Sequence, residues 1–246
     1  ALAGTAVYPI IGGYLAARSW NAPFLLYGLT LPVAGLVLVA LEDSPVDSKA
    51  TADGYVREAL RAIPTRQAIV VYGVMFVSFT LVFGGIYTAL PFYLSERFGV
   101  TPATVGLLTS TVLVVTGIVS TQNGRLASRW ATQTLLVSGF ALYSVGFLGV
   151  ALTGSLPMLV VALLVFGVGS GLITPTLFAT LSSLAPDHIR GGVMSLQTTT
   201  IGASQAVGPA LFTFLGGAVG YQATLLCASG GAALGTALLG LLRVGS

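Results

Sequence analysis

Apolar residues run along this chain in long uninterrupted stretches, and charged residues fall only between them. No charge occurs between Arg18 and Glu42, Arg66 and Glu96, Arg97 and Arg125, Arg129 and Asp187, or Arg190 and Arg243. Inside these runs apolar and polar positions do not alternate, so they read as helices rather than strands. A helix needs about 20 apolar residues to cross the hydrocarbon of a bilayer, and the two longest runs exceed one crossing. Each contains a turn signal: Gly154-Ser155-Leu156-Pro157 in one, Gly216-Gly217 through Gly220-Tyr221 in the other. The pattern predicts eight spans, at 1–17, 22–41, 67–94, 103–123, 131–153, 156–182, 191–216 and 219–242. The third is longer than a bilayer requires, which predicts tilt or a bend at Pro91.

Composition agrees with that reading. Of 246 residues, 55% are hydrophobic and 7% charged, and mean hydropathy is +0.95. A soluble domain carries about 25% charged residues; ten basic and seven acidic side chains are too few to cover a globule of this size. The solvent is mostly lipid, and the fold class is an all-α membrane protein. The basic residues are scattered between apolar runs and form no patch for nucleic acid. One cysteine, Cys227, allows no intrachain disulfide, and with one histidine it supplies no metal cluster of the usual spacing. No cofactor and no metal are expected. The chain has no initiator Met and starts inside an apolar run, so truncation at its N-terminus is expected.

Orientation follows from basic residues in short loops. With an even number of spans both ends share one side, which collects Lys49, Arg57, Arg61, Arg66, Arg125, Arg129, Arg190 and Arg243; the other collects Arg18 and Arg97. Both ends, including the C-terminus, are therefore expected in the cytoplasm, in a multi-pass protein of the cell (inner) membrane. Trp20 and Trp130 fall at span ends on opposite faces, where amphipathic rings prefer to sit. The one sizeable loop, 42–66, holds Tyr55, Val56, Ala59, Leu60 and Ile63 at helical spacing, which predicts a short amphipathic helix on the membrane face.

Two passages echo each other. Ala6 to Pro23 reads AVYPIIGGYLAARSWNAP, and Ala206 to Thr224 reads AVGPALFTFLGGAVGYQAT. Each opens on Ala-Val-x-Pro, carries a Gly-Gly pair and closes on an aromatic, an amide and an alanine. A parallel repeat at long period in a helical membrane protein points to two related bundles. Six predicted spans follow the long loop and only two precede it.

These residues resemble the major facilitator superfamily along essentially the whole chain. Pro9, Gly12 and Gly13 resemble the G-P-x-x-G-G of the fifth helix of its drug:proton antiporters, with Tyr8 in place of the first glycine. Asn123 to Arg129, NGRLASR, resembles the family's loop signature G-x-L-a-D-R-x-G-R: Gly124, Leu126, Ala127 and Arg129 match. Arg125 lies within that stretch, while Ser128 stands at the aspartate and Ala131 at the second glycine. Leu184 to Gly191 with Met194-Ser195-Leu196 resembles the approach to the eleventh helix. The resemblance implies the last two helices of an N-terminal bundle (1–41), a cytoplasmic connection (42–66) and a complete six-helix C-terminal bundle (67–246) of a twelve-helix transporter. The prokaryotic multidrug-efflux branch is the nearest in pattern.

A charge at the bilayer centre costs about 2.5–3.5 kcal/mol even on insertion scales, and none lies within the predicted spans. Glu96 and Arg97 are adjacent at a span end, where a solvated pair is the plain reading. Any proton-coupling acid is expected in helices preceding this chain. Polar uncharged residues are more informative. Gln197, Thr200, Ser204 and Gly208 share one helical face. An amide without a partner in hydrocarbon is costly, so this face lines a cavity or hydrogen-bonds to a neighbouring helix. In Gly84-Gly85-Ile86-Tyr87-Thr88-Ala89-Leu90-Pro91, flexible and proline-interrupted backbone meets an amphipathic ring. The resemblance makes this helix cavity-lining and Phe83 and Tyr87 candidates for apolar substrate contact; core packing of Phe83 and interface anchoring of Tyr87 are the alternatives. Gly167, Gly169, Gly171 and Pro175 serve close packing or a sliding surface. Pro9, Pro91, Pro175, Gly208 and Pro209 are candidate bend or rocking points, and His188 is a solvated loop residue.

The expected function is secondary transport of a small molecule by alternating access, with proton-coupled efflux of drug-like or amphipathic compounds implied by the resemblance. The partners are then the lipid bilayer, that substrate and protons, with a monomer as the full-length state. An uptake carrier or facilitator for a metabolite is the alternative within the same fold. A membrane enzyme lacks a nucleophile–base or metal constellation, and a primary pump lacks the G-x-x-x-x-G-K-[ST] loop.

Overall fold

A computed structural model of the chain describes residues 2–24, 28, 30–40, 66–184 and 190–241. The amphipathic stretch expected at 55–63 and His188 lie outside the described residues. Eight helices longer than one turn stand among the described residues, numbered here α1 to α8, with a short 3-10 helix at Ala22–Phe24 after the first. They are α1 (Leu2–Arg18), α2 (Thr30–Ala40), α3 (Arg66–Thr80 continued by Leu81–Ala89 and Leu90–Phe98) and α4 (Pro102–Ala127). They continue as α5 (Thr132–Leu152), α6 (Leu156–Leu184), α7 (Arg190–Val219) and α8 (Tyr221–Leu241).

Five of these are long and apolar enough to cross a membrane: α3 to α6 and α8. α7 has the length but concentrates Ser195, Gln197, Thr198, Thr199, Thr200, Ser204 and Gln205 in its first half, and described α2 is a shorter apolar helix. Large apolar side chains are bare on the outer faces, among them Leu38 at 84%, Val39 at 90% and Phe214 at 73% exposure. Water would penalise such a surface, whereas lipid does not. The molecule is a multi-pass membrane protein.

Local chemistry sets the helix ends. Gly99 stops α3 at φ 59°, a left-handed conformation that favours glycine. Thr101 then caps α4, its hydroxyl accepting from the Thr104 N–H at 3.3 Å with Pro102 in the first turn. Gly220, at φ 83°, separates α7 from α8. The turn lies at Gly220 rather than at the earlier glycine pair, because Gly216 stays helical and lies against the Tyr221 ring. The other internal turn is where the sequence places it, with α6 starting at Leu156.

Without a hydrophobic drive between helices in lipid, close backbone approach must hold them together. At the α5–α6 crossing a Cβ on Gly169 would lie 2.7 Å from the Gly139 carbonyl, and one on Gly139 would lie 3.1 Å from the Gly169 carbonyl. Gly167 and Gly171 play the same part toward α4, beside the Val112 carbonyl at 3.0 Å and the Thr116 carbonyl at 2.9 Å. The glycines of α6 are packing residues. Around them Tyr143 stacks on Phe166 at 4.1 Å, and Phe140 and Phe147 complete a fully buried aromatic core. In outline α4, α6, α3 and α7 adjoin in that order, α5 and α8 pack behind them, and α1 lies along α4.

Candidate substrate pathway

The most irregular backbone in a described span lies in the middle of α3. Leu81–Ala89 is wound as a π-helix, a widened turn that recurs at functional positions. The predicted irregularity at Pro91 therefore sits just ahead of the proline. Pro91 has no N–H to give an α-helical bond, and the Leu90 N–H reaches back five residues to the Gly85 carbonyl. The Thr88 hydroxyl likewise donates to the Phe83 carbonyl, five residues back, at 2.9 Å.

Gly84 and Gly85 allow neighbours onto this turn. A Cβ on Gly84 would strike the Phe212 ring and one on Gly85 the Phe147 ring, so α7 and α5 grip the π segment from two sides. Gly208 completes the seam: its Cβ position is 3.0 Å from both the Gly84 nitrogen and the Thr80 carbonyl oxygen. Below it the Ser204 hydroxyl donates to the Phe76 carbonyl at 3.1 Å, and the Tyr72 hydroxyl donates to the Val193 carbonyl at 2.9 Å.

Of the stripe Gln197, Thr200, Ser204 and Gly208 on one helical face, Ser204 and Gly208 meet α3. Ser204 is fully buried, and its hydroxyl faces the Phe76 carbonyl of α3 at 3.1 Å and the Thr200 carbonyl of its own helix at 2.9 Å. Thr200 returns its hydroxyl to the Leu196 carbonyl at 2.8 Å. The Gln197 Oε1 is buried without a partner among the described residues.

Phe83 and Tyr87 have a different setting. Phe79, Phe83 and Tyr87 stand one turn apart on α3 and form a ladder, with ring centroids 6.0 Å and 5.7 Å apart. Phe178 of α6 joins at its lower end, 6.3 Å from Phe79 and tilted from it by only 14°. These rings are partly exposed, Tyr87 at 38%, unlike the buried rings of the core. Phe178 follows Gly169 by nine residues, which at about 100° each puts it on the side of α6 away from α5. The ladder therefore runs from the edge of the buried core at Phe79 and Phe178 to the exposed Tyr87 ring.

The sequence reading missed Phe79 and Phe178; the four-residue steps from Phe79 to Tyr87 were the available signal. It also passed over Asn123. That buried amide donates to the Leu172 carbonyl at 3.2 Å and to the Thr176 hydroxyl at 3.0 Å, tying α4 to α6 next to Pro175. Gly124 and Arg125 are still helical and Arg129 lies two residues beyond the end of α4, so the expected loop signature is mostly a helix end. The Ser128 hydroxyl, at the family's aspartate position, donates to the Arg125 carbonyl at 2.8 Å. Pro9, Pro175 and Pro209 lie inside α1, α6 and α7.

A family model described as Major Facilitator Superfamily matches residues 69–245. The chain belongs to that superfamily. Curated members similar to it include an uncharacterized MFS-type transporter of Mycobacterium tuberculosis, 34% identical over 44% of this chain and 18% of that protein. The arabinose-proton symporter of Escherichia coli is 30% identical over 48% of this chain and 25% of that protein. The lincomycin resistance protein LmrB of Listeria monocytogenes is 32% identical over 50% of this chain and 27% of that protein. Among solved structures, the human organic anion transporter MFSD10 superposes with a TM-score of 0.62 at 21% identity, over 80% of this chain and 43% of that one. A POT family transporter gives 0.57 at 18% identity, over 91% of this chain and 48% of that one. The chain spans less than half the length of these superfamily members, and the structural likeness concerns the fold alone.

Proposed function

We propose that this superfamily member works in the secondary transport of a small, drug-like or amphipathic molecule by alternating access, as a proton-coupled exporter. The observation that carries the reading is the partly exposed aromatic ladder Phe79–Phe83–Tyr87 with Phe178, set on the irregular π turn of α3. Its surface suits an apolar substrate, and its backbone departs from the α-helical hydrogen-bond pattern. The likeness to a lincomycin resistance protein supports export. Under this reading the eight helices are eight spans with both ends cytoplasmic in the plasma membrane. Residues 67–246 form one six-helix bundle, and α1 and α2 belong to its twin. Pro9 and Pro209 are corresponding rocking points, and the working unit is a monomer. Proton-binding groups would reside in other helices, since the one acid inside the described ones, Glu96, stands in the last turn of α3. The superfamily and its members point to transport rather than catalysis.

An uptake carrier for a metabolite is the second reading, favoured by the likeness to an arabinose-proton symporter. The test is drug accumulation in cells expressing the complete gene, with and without collapse of the proton gradient. Export predicts lowered accumulation that rises to the level of control cells on collapse. Unchanged accumulation of every compound in a structurally broad panel refutes export.

A further inference from the structure

We propose that the cavity of about 310 Å³ between α3, α7 and α8 is a lipid site that holds one acyl chain of a membrane phospholipid. The site depends on neither the direction nor the substrate of transport.

The lining runs from Val207 to Leu215 along α7 and from Thr224 to Gly231 along α8, about 12 Å and 10 Å at a rise of about 1.5 Å per residue. The cavity is therefore a slot along the helices, the direction in which a lipid chain lies. Its far end at Gly231 is about 15 Å below Tyr221 at the start of α8, half of a hydrocarbon layer of about 30 Å. One leaflet contains it. Val77, Val207, Leu211 and Cys227 are lining residues that stay exposed, so the slot opens sideways to the membrane. Water has little to hold it there, since a buried water needs two to four polar partners. The Thr224 hydroxyl is spent on the Gly220 carbonyl at 2.9 Å, and the Thr80 oxygen is sealed from the surface. No charged residue lines the slot, so a lipid headgroup finds no partner either. Left empty, the walls would forfeit dispersion contacts, a cost that rises with volume. Hydrocarbon is the filler that a bilayer supplies, and the slot has room for at least ten methylene-sized groups at about 30 Å³ each. A chain seated there touches Leu81 and Phe212, and the Phe212 ring is the one that lies on Gly84. The bilayer thereby becomes part of the seam between α3 and α7.

The experiment titrates the full chain, and in parallel the product of the complete gene, with a phosphatidylcholine that carries a photoreactive diazirine midway along one chain. Both are held in glyco-diosgenin micelles, because a rigid steroid detergent cannot follow the slot. After irradiation the adducts are mapped by peptide mass spectrometry. The site predicts saturable labelling of Leu211, Leu215 and Cys227 at one lipid per molecule. Phe214 and Leu226, exposed outside the lining, should label only in proportion to the lipid added. Gly231→Leu plugs the slot, since a Cβ on Gly231 meets nothing within 4 Å, and should lower the saturable labelling about tenfold. Gly230→Leu is the control: its Cβ position is equally open but lies outside the lining, and labelling should not change. If Gly231→Leu does not fold, Gly231→Ala carries the test with a smaller decrease. Labelling of slot and outside residues that rises together without saturation overturns the proposal, as do equal effects of the Gly231 and Gly230 variants. Labelling of the chain that is absent from the complete protein also overturns it, because another protein segment then fills the slot.

Discussion

Gly208 is where α7 comes closest to the irregular turn of α3, and replacing it with alanine tests whether that seam matters. The new methyl group would lie 3.0 Å from the Gly84 nitrogen and 3.0 Å from the Thr80 carbonyl oxygen, with the Phe83 Cβ at 3.4 Å. Two of these three neighbours are backbone atoms, which cannot rotate away as a side chain can. α7 must instead retreat by a few tenths of an ångström, loosening the Phe212 ring from Gly84 and the Ser204 hydroxyl from Phe76. Overpacking of this kind costs about 1–3 kcal/mol. Alanine also favours the helix over glycine by about 0.5–1 kcal/mol, which obscures the steric cost in a single variant. Gly202 supplies the reference, because it lies on the same helix with nothing within 4 Å of its Cβ position. Both substitutions gain the same helical preference, so the difference between Gly208→Ala and Gly202→Ala reads the seam alone. Reversible unfolding in mixed detergent–SDS micelles should place Gly208→Ala about 1–3 kcal/mol below Gly202→Ala. A difference under about 0.5 kcal/mol, within the scatter of substitutions away from such features, would refute the claim that backbone contact holds α7 on the π turn.

Other substitutions probe the remaining contacts. Ser204→Ala removes the bond to the Phe76 carbonyl and should cost about 0.6 kcal/mol in the same unfolding assay, the average for interhelical hydrogen bonds in a membrane. Asn123→Ala strips two bonds between α4 and α6 and opens a cavity, so it should cost about 1–3 kcal/mol, clearly more than Ser204→Ala. Cys227, the chain's single cysteine, is exposed on α8 beside an apolar cavity of about 310 Å³ lined by Phe76, Leu81 and Phe212. In lipid it should resist a charged, membrane-impermeant maleimide and react with it once the protein is unfolded in SDS; labelling by that reagent in lipid would place it in water.

How much the sequence revealed depended on what each feature answers to. Charge-free runs answer to the bilayer, which admits backbone only with its hydrogen bonds closed internally, so α1 and α3 to α8 were legible to within a few residues, while the span expected from 22 has a 3-10 turn at Ala22–Phe24 and its described helix from Thr30. The exceptions were ends set by particular contacts: α7 outruns its Gly-Gly pair because Gly216 makes room for Tyr221, and α4 runs on through Gly124 to Ala127. The candidate site was harder, and for a physical reason. A soluble active site announces itself by buried charge, whereas the described residues of this bundle bury none, leaving only hydroxyls, amides and rings to sort. Periodicity correctly placed Gln197, Thr200, Ser204 and Gly208 on one face, but it contains nothing about the partner across that face. In lipid a polar stripe and a glycine stripe serve packing as readily as passage. Only the third dimension separates Ser204 of α7, sealed against Phe76, from the partly exposed Phe83 and Tyr87 of α3. The π turn makes that separation consequential. It is gripped by Phe147 and Phe212 on its packed sides, while the ladder on its remaining side is partly bare.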